Sequence, residues 1–312
     1  MAVSRYLALG REPSFGQEAA SYFYVDLASE DLKTTHDWIM PELAGTRWKR
    51  HAIHGTMKVG GSVDCYAQFG SLGAFLLAAL GSVSTTQPDP GNAPGVFKHE
   101  FRPAEALPSY TLLVASEVTG RKFLGCVCSS LELSVAAGEL LGLSFEVVGQ
   151  REEAFTPEGA VELDKTPFIS SADLATCHIG GVEARLEALV LTVSNRLADD
   201  VFELGSRYLA EVPAQALEIT GSFDLRFASR EHLDRFLSGE ETSLYLRFTG
   251  PELEGGLRYE LEVELPRIVY KAAGANISAR ERLVERVEFE ALHDEEAGYA
   301  IRFVLQNQEG AY

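Results

Sequence analysis

Residues 257–265 constrain the fold more than any other stretch. Leu257, Tyr259, Leu261, Val263 and Leu265 alternate with Arg258, Glu260, Glu262 and Glu264, the period of two that a half-buried β-strand requires. A helix would scatter those apolar side chains around its axis, whereas a sheet with one wet face collects them. Pro266 then interrupts the pattern, as a sheet edge or strand end allows. The same alternation runs through Leu131–Val135, Val287–Ala291 and Tyr299–Phe303. Further strands are expected over Tyr22–Leu27, His54–Tyr66, Ser109–Glu117, Leu140–Val148, Leu186–Ser194, Gln215–Phe227 and Thr242–Phe248. The chain therefore reads as mainly β, with many antiparallel pairings.

Two short helices interrupt this pattern. Ser71–Leu80 opens on Ser71 as N-cap and ends at Gly81; Ser229–Leu237 opens on Ser229, with Glu231 in its first turn and Leu233, Phe236 and Leu237 as its apolar face. Residues Gln87–Gly95, rich in Pro, Gly, Asp and Asn, form a loop or hairpin tip, and a linker is expected from Gln150 to Asp173.

The elements recur in order. Gly61-Ser62-Val63-Asp64 corresponds to Gly221-Ser222-Phe223-Asp224, each inside a long strand and each followed by a short helix carrying Phe-Leu (Phe75-Leu76 and Phe236-Leu237). Upstream, Tyr22–Leu27 parallels Leu189–Ser194; downstream, a long hairpin-like pair follows in each half, over residues 121–149 and 257–305. This spacing is far longer than that of solenoid repeats and points to two whole domains, 1–160 and 161–312, each a β-sandwich or barrel with one flanking helix. Long strands with open edges are a hazard unless they serve assembly.

Charge narrows the function. The 27 Lys+Arg against 46 Asp+Glu give −19, which opposes a protein that grips nucleic acid or an anionic membrane. Residues 1–160 hold 18 acids and 12 bases, and residues 161–312 hold 28 and 15. The N-terminus shows no signal-peptide pattern, and the apolar stretch Leu72–Leu80, broken by Gly73, is far too short to span a bilayer. Cys65, Cys126, Cys128 and Cys177 are too few for a disulfide framework and fit buried thiols in a reducing setting. His51, His54 and His178 are the only loose metal partners for them, at spacings that match no zinc pattern.

Catalytic signatures are missing from the sequence: no phosphate-binding loop, dinucleotide fingerprint, nucleophile elbow or zinc-protease helix. Lys98-His99-Glu100-Phe101 contains His-Glu but lacks the second His one turn on. No catalytic, cofactor-binding or metal residue is expected, and the chain reads as something other than an enzyme.

The run Ser4-Arg5-Tyr6-Leu7-Ala8-Leu9-Gly10-Arg11-Glu12-Pro13-Ser14-Phe15-Gly16 resembles the start of tail tube proteins of long-tailed bacteriophages, as does Tyr24–Leu32. The second half resembles the closing pattern of that family: Val190–Leu197, the Gly221–Asp224 strand, Leu265-Pro266, Val287–Leu292 and a last strand through Gln306-Asn307. The resemblance implies a virion protein made in the host cytoplasm, whose inner sheets join across neighbours into a barrel-like lumen. Family rings are six-fold, so a chain with two tube-type domains implies a trimeric, pseudo-hexameric ring. Its partners would be copies of itself, the tape measure protein and the tail terminator and tail tip proteins, with no cofactor. DNA would pass along the lumen unbound, because a carboxylate wall repels phosphates.

Glu260, Glu262, Glu264, Glu288 and Glu290 are the candidate lumen acids; a solvated strand face is the plainer account of the first three. Ring stacking falls to Lys33–Arg50, with Trp38, Arg47, Trp48, Lys49 and Arg50, and to the 87–95 loop. An ordinary turn before a strand accounts equally for the basic cluster. The inner tube of a contractile tail is the alternative within this class. A two-domain β-sandwich carbohydrate-binding or hydrolytic protein is the alternative outside it, disfavoured by the presence of only two Trp.

Overall fold

The alternating stretch at 257–265 lies in a strand that belongs to two sheets. The computed structural model describes residues 5–116, 119–157, 161–227, 229–275 and 283–312. Ser4, Glu117 and residues 158–160 of the expected linker lie outside them. The described residues form strands β1 (Tyr6–Arg11), β2 (Phe23–Val25), β3 (Ser29–Glu30), β4 (Lys33–Ile39) and β5 (Ile53–Tyr66), then helix α1 (Leu72–Leu80). Next come β6 (Gly81–Thr86), β7 (Phe97–Pro103), β8 (Tyr110–Ala115), β9 (Gly120–Ala136), β10 (Gly142–Gly149) and β11 (Arg151–Phe155). They are followed by β12 (Leu174–Ile179), β13 (Val182–Glu183), β14 (Leu186–Ser194), β15 (Glu218–Arg226) and helix α2 (Glu231–Ser238). The last strands are β16 (Thr242–Glu252), β17 (Arg258–Ala275), β18 (Val284–Ala291) and β19 (Arg302–Asn307). The protein is mainly β and its ladders are antiparallel.

A wide sheet of eight places dominates: β4 with β3, then β5, β10, β9, β14, β15, β18 and β17. The N-terminal half of β9 leaves it for a second sheet ordered β2, β1, β8, β9, β11. The N-terminal half of β17 likewise leaves it for a third, ordered β13, β12, β16, β17, β19, β7, β6. Val59, Val63, Leu131, Phe145, Leu191, Phe223 and Phe289 project from the inner face of the wide sheet into one core shared with Leu9, Leu112, Leu244 and Leu305 of the other two.

β9 and β17 run the same course. Each pairs first with the strand before it (β8, β16) through a register shift, at Tyr110/Leu112 and at Thr242/Leu244. Each then pairs with the strand after it (β10, β18) through another, where the register skips Ser129 and Lys271. Gly61–Asp64 on β5 faces Val147–Ser144 on β10, and Gly221–Asp224 on β15 faces Phe289–Arg286 on β18. The expected parallel of Tyr22–Leu27 with Leu189–Ser194 differs: Phe23–Val25 pairs with β1, and the strands set against β5 as β14 is against β15 are β3 and β4.

Pro266 does not end its strand. It sits inside β17 where one edge exchanges β19 for β18 and the other carries the bulge opposite Thr242–Leu244, so its missing N–H leaves no ladder bond empty. Helix α1 is buried at every position and stops on Gly81 at φ 88°. Ser71 makes no side-chain cap; the carboxylate of Asp164, from the linker, accepts the Ser71 N–H at 2.7 Å instead. Helix α2 begins two residues after Ser229, whose hydroxyl accepts the Glu231 N–H at 3.3 Å. Phe236 packs on the core while Leu237 stays exposed. The hairpin β6–β7, with residues 87–95 at its tip, packs beside α1, and Tyr312 stacks on Phe23 at 5.4 Å. The expected linker contains β11, and Lys33–Ile39 of the expected stacking loop is a strand rather than a loop.

Candidate assembly site

Most strands of the wide sheet turn polar side chains to the face away from the core, by the same alternation that makes the core apolar, except where Val127 of β9 and Val148 of β10 are covered on this face by Leu209 and Val212. The face carries Asp64 on β5, Glu146 on β10, Glu132 on β9, Thr192 on β14, Asp224 on β15, and Glu288 and Glu290 on β18. Asp64 accepts the hydroxyls of Ser29 and Ser144 at 2.6 and 2.7 Å, and Thr192 donates to Glu132 at 3.4 Å. Glu290 pairs with Lys271 at 2.8 Å and Glu288 with Arg286 at 3.8 Å. Among the described residues, no cation pairs with Glu132 or Glu146. Pairs this exposed add little stability.

Glu260, Glu262 and Glu264 lie on the N-terminal half of β17, in the third sheet, and not beside Glu288 and Glu290. Each is tied to a base: Glu260 to Arg247 on β16, Glu262 to Lys98 on β7, two strands away, at 3.9 Å, and Glu264 to Arg302 on β19. Tyr299 also donates to Glu264 at 2.9 Å, and Arg102 covers the Tyr299 ring at 4.8 Å. The five carboxylates thus divide between two surfaces.

Trp38 is on β4, its ring 4.3 Å from that of His54 on β5. Arg47, Trp48, Lys49 and Arg50 are exposed on the turn joining these strands. Ile39, Met40, Leu43 and Ile53, all 41–57% exposed, join Trp38 and Trp48 in an exposed apolar cluster at this hairpin end, beside the three bases. Both ends of the wide sheet are open. Among the described residues, β4 pairs only with β5, and β17 beyond Ile268 pairs only with β18.

The cysteines are not set up as nucleophiles. All four are free and buried; burial pushes the thiols of Cys65 and Cys177 up to about 12 and raises those of Cys126 and Cys128 as well, far from the thiolate that reactivity needs. Among the described residues no group of three His, Cys, Asp or Glu gathers as a metal site. No described helix is long and apolar enough to cross a membrane.

Surfaces of this kind suit assembly, and the family model described as phage tail tube protein matches residues 3–291. The chain belongs to the phage tail tube family. No curated protein matches it. Membership makes this a structural component of a phage tail that assembles with copies of itself into a tube. Glu288 and Glu290 share the outer face of the wide sheet with acids that the sequence had not marked as candidates, Asp64, Glu132, Glu146 and Asp224; each sits in a strand with an alternating pattern, the same signal that marked Glu288 and Glu290.

Proposed function

We propose that the protein is the major tube subunit of a long, non-contractile phage tail, and that the polar face of the wide sheet lines the channel through which DNA leaves. The observation that carries this is the sheet itself: eight strand places joined into one antiparallel sheet, apolar towards the core, acid-bearing on the part of the other face that Leu209 and Val212 leave uncovered, and, among the described residues, open at both ends. A carboxylate-bearing wall repels phosphate and offers few cations whose counterion release would hold DNA. On this reading Glu132, Glu146, Glu288 and Glu290 face the channel. Glu260, Glu262 and Glu264, engaged with Arg247, Lys98 and Arg302, belong to the outer wall.

Residues 1–160 and 161–312 are, on this reading, two copies of one tube domain, so three chains close a pseudo-hexameric ring. The matched courses of β9 and β17, with register shifts at corresponding places, support the duplication. The exposed β4–β5 hairpin, with Trp48 and the basic Arg47-Lys49-Arg50 run, stacks one ring on the acidic surface of the next. Tape measure, terminator and tip proteins complete the tail. Electron microscopy of the purified protein tests the reading: rings or tubes of uniform bore with three chains per ring are expected, and monomers persisting at high concentration would refute it.

A further inference from the structure

The chain already contains one finished junction between its halves, and that junction specifies the one it leaves open. In the wide sheet, β9 pairs with β14 through Ser130↔Ser194, Leu131↔Val193 and Glu132↔Thr192. Asn195 closes this seam: its N–H donates to the carbonyl of Ser129 at 2.9 Å, and its side-chain amide donates to those of Ala79 and Cys128 at 3.0 and 3.1 Å. The edge of β9 used here continues the edge that β8 covers further back.

Corresponding positions follow from the ladders. Ser130, Leu131 and Glu132 lie opposite Glu146, Phe145 and Ser144, just beyond Ser129, which the register skips; Ala272, Ala273 and Gly274 lie opposite Glu288, Val287 and Arg286, just beyond Lys271, skipped likewise. On the other side, Thr192, Val193 and Ser194 face Thr220, Ile219 and Glu218 of β15, and Lys33, Thr34 and Thr35 face Gly60, Val59 and Lys58 of β5. Gly60 immediately precedes the Gly-Ser-x-Asp of its half, as Thr220 does in the other. In the first half the edge of β9 is occupied; among the described residues, the matching edge of β17 has no partner strand, and neither has that of β4. Helix α2 packs against β17 as α1 packs against β9. Since α1 leaves the edge of β9 open to β14, a helix in that place does not obstruct a seam.

We propose that β17 of one chain pairs antiparallel with β4 of a second copy, in the register Ala272↔Thr35, Ala273↔Thr34 and Gly274↔Lys33. The proposal rests on the tube reading and names the contact that closes the ring. It accounts for a strand with no buried face of its own: every residue of β4 but Thr34 is exposed. Repetition of the seam makes the wide sheets of successive chains one continuous wall, so the inner surface has no open strand edge to template misassembly.

Ladder alternation provides the test. Asp31 N–H donates to the Ser62 carbonyl, so the odd-numbered residues Lys33 and Thr35 bond to β5, and the N–H of Thr34 points to the free edge. Thr35 and Ala272 then form a non-hydrogen-bonded pair, the closer kind and the one suited to a disulfide. The four native cysteines are buried and do not compete. Oxidising assembled Thr35→Cys/Ala272→Cys protein should convert single chains into linked pairs and closed linked trimers, while each single variant stays unlinked. Thr34→Pro should keep the monomer's circular dichroism and raise the concentration needed for assembly at least tenfold. Thr34→Val, which loses the hydroxyl bonded to Glu152 at 2.6 Å but keeps the N–H, should assemble normally. Rings that form without these links, or that link through Asp37→Cys with Ala272→Cys instead, overturn the seam and leave the tube reading standing. Wild-type protein that forms no ring removes both.

Discussion

The side-chain amide of Asn307 donates to the hydroxyl of Tyr312 at 2.6 Å, and to the carbonyl of Phe69 at the same distance. Through this contact the segment after β19 is fixed against the start of α1, where the Tyr312 hydroxyl also donates to the carbonyl of Gly70. A Cβ on Gly73 would stand 2.2 Å from the Tyr312 ring, so glycine in the first turn of this helix is the room that the ring requires.

Gly73→Ala should therefore destabilise by about 1–3 kcal/mol through overpacking, and Tyr312→Ala by about 3–5 kcal/mol through the cavity it leaves. In the Tyr312→Ala background the Gly73→Ala change should become neutral or stabilising, since alanine is favoured over glycine in a helix by about 1 kcal/mol. Urea unfolding of the four proteins measures this coupling; additive effects would show that the ring and the glycine do not meet.

Glu12 is buried and accepts four hydrogen bonds: Gly16 N–H at 2.8 Å and Ser109 hydroxyl at 2.7 Å on Oε2, Gly125 N–H at 2.8 Å and Thr111 hydroxyl at 3.0 Å on Oε1. One backbone donor faces each oxygen, and backbone donors cannot turn away. Glu12→Gln must point its NH₂ at one of them, so it should cost about 2–3 kcal/mol despite its matching shape. Ser109→Ala should cost less. Thermal melts compare the two.

His99 is fully buried on β7, its Nδ1 2.9 Å from the Thr85 hydroxyl and its Nε2 2.9 Å from the Glu309 carbonyl and 3.2 Å from the Asn307 amide oxygen. Those partners suit a neutral ring, and burial lowers its pKa below 6.5. His232, 3.1 Å from the Tyr270 hydroxyl, is lowered for the same reason. The unfolded chain then binds more protons below pH 6.5, so stability should be full above that value and fall as pH drops through and below it. Urea midpoints at pH 7.5 and 5.5 should differ in that direction, and His99→Gln should narrow the difference.

On the channel reading, Glu132→Lys/Glu146→Lys/Glu288→Lys subunits should form tubes that retain short duplex DNA at low salt and release it as salt rises. Wild-type tubes should retain none. Equal retention by both would place these residues away from the lumen. The same changes at Glu260, Glu262 and Glu264 should leave retention unaltered.

Period-two alternation disclosed which residues face the core but not which sheet holds them. Glu260 and Glu288 carry the same local signature, yet the partner exchange at Pro266 puts them on different surfaces. The β6–β7 hairpin escaped because His99, a buried histidine between Phe97 and Phe101, reads as polar and hides the alternation with Lys98, Glu100 and Arg102. β4 escaped because a strand exposed on both faces has no apolar period, and Lys33-Thr34-Thr35-His36-Asp37 reads as a loop. Ser71 carried the expected capping identity, but Asp164, far away in sequence, supplies the carboxylate. Leu186–Ser194, with a clean apolar face, appears where its pattern placed it.

The pairing of β7 with β19 bears on how the protein is made. Phe101 finds Phe303, and His99 finds Leu305, across nearly the whole length between the inserted hairpin and the final strand. The first half therefore cannot complete its core while the ribosome is still translating the second, and the usual order of folding one domain at a time during synthesis is unavailable. Such distant contacts make for slow folding. An unfinished chain would expose both α1 and the bare edge of β7, so overproduction at lower temperature or with chaperones should raise the soluble yield.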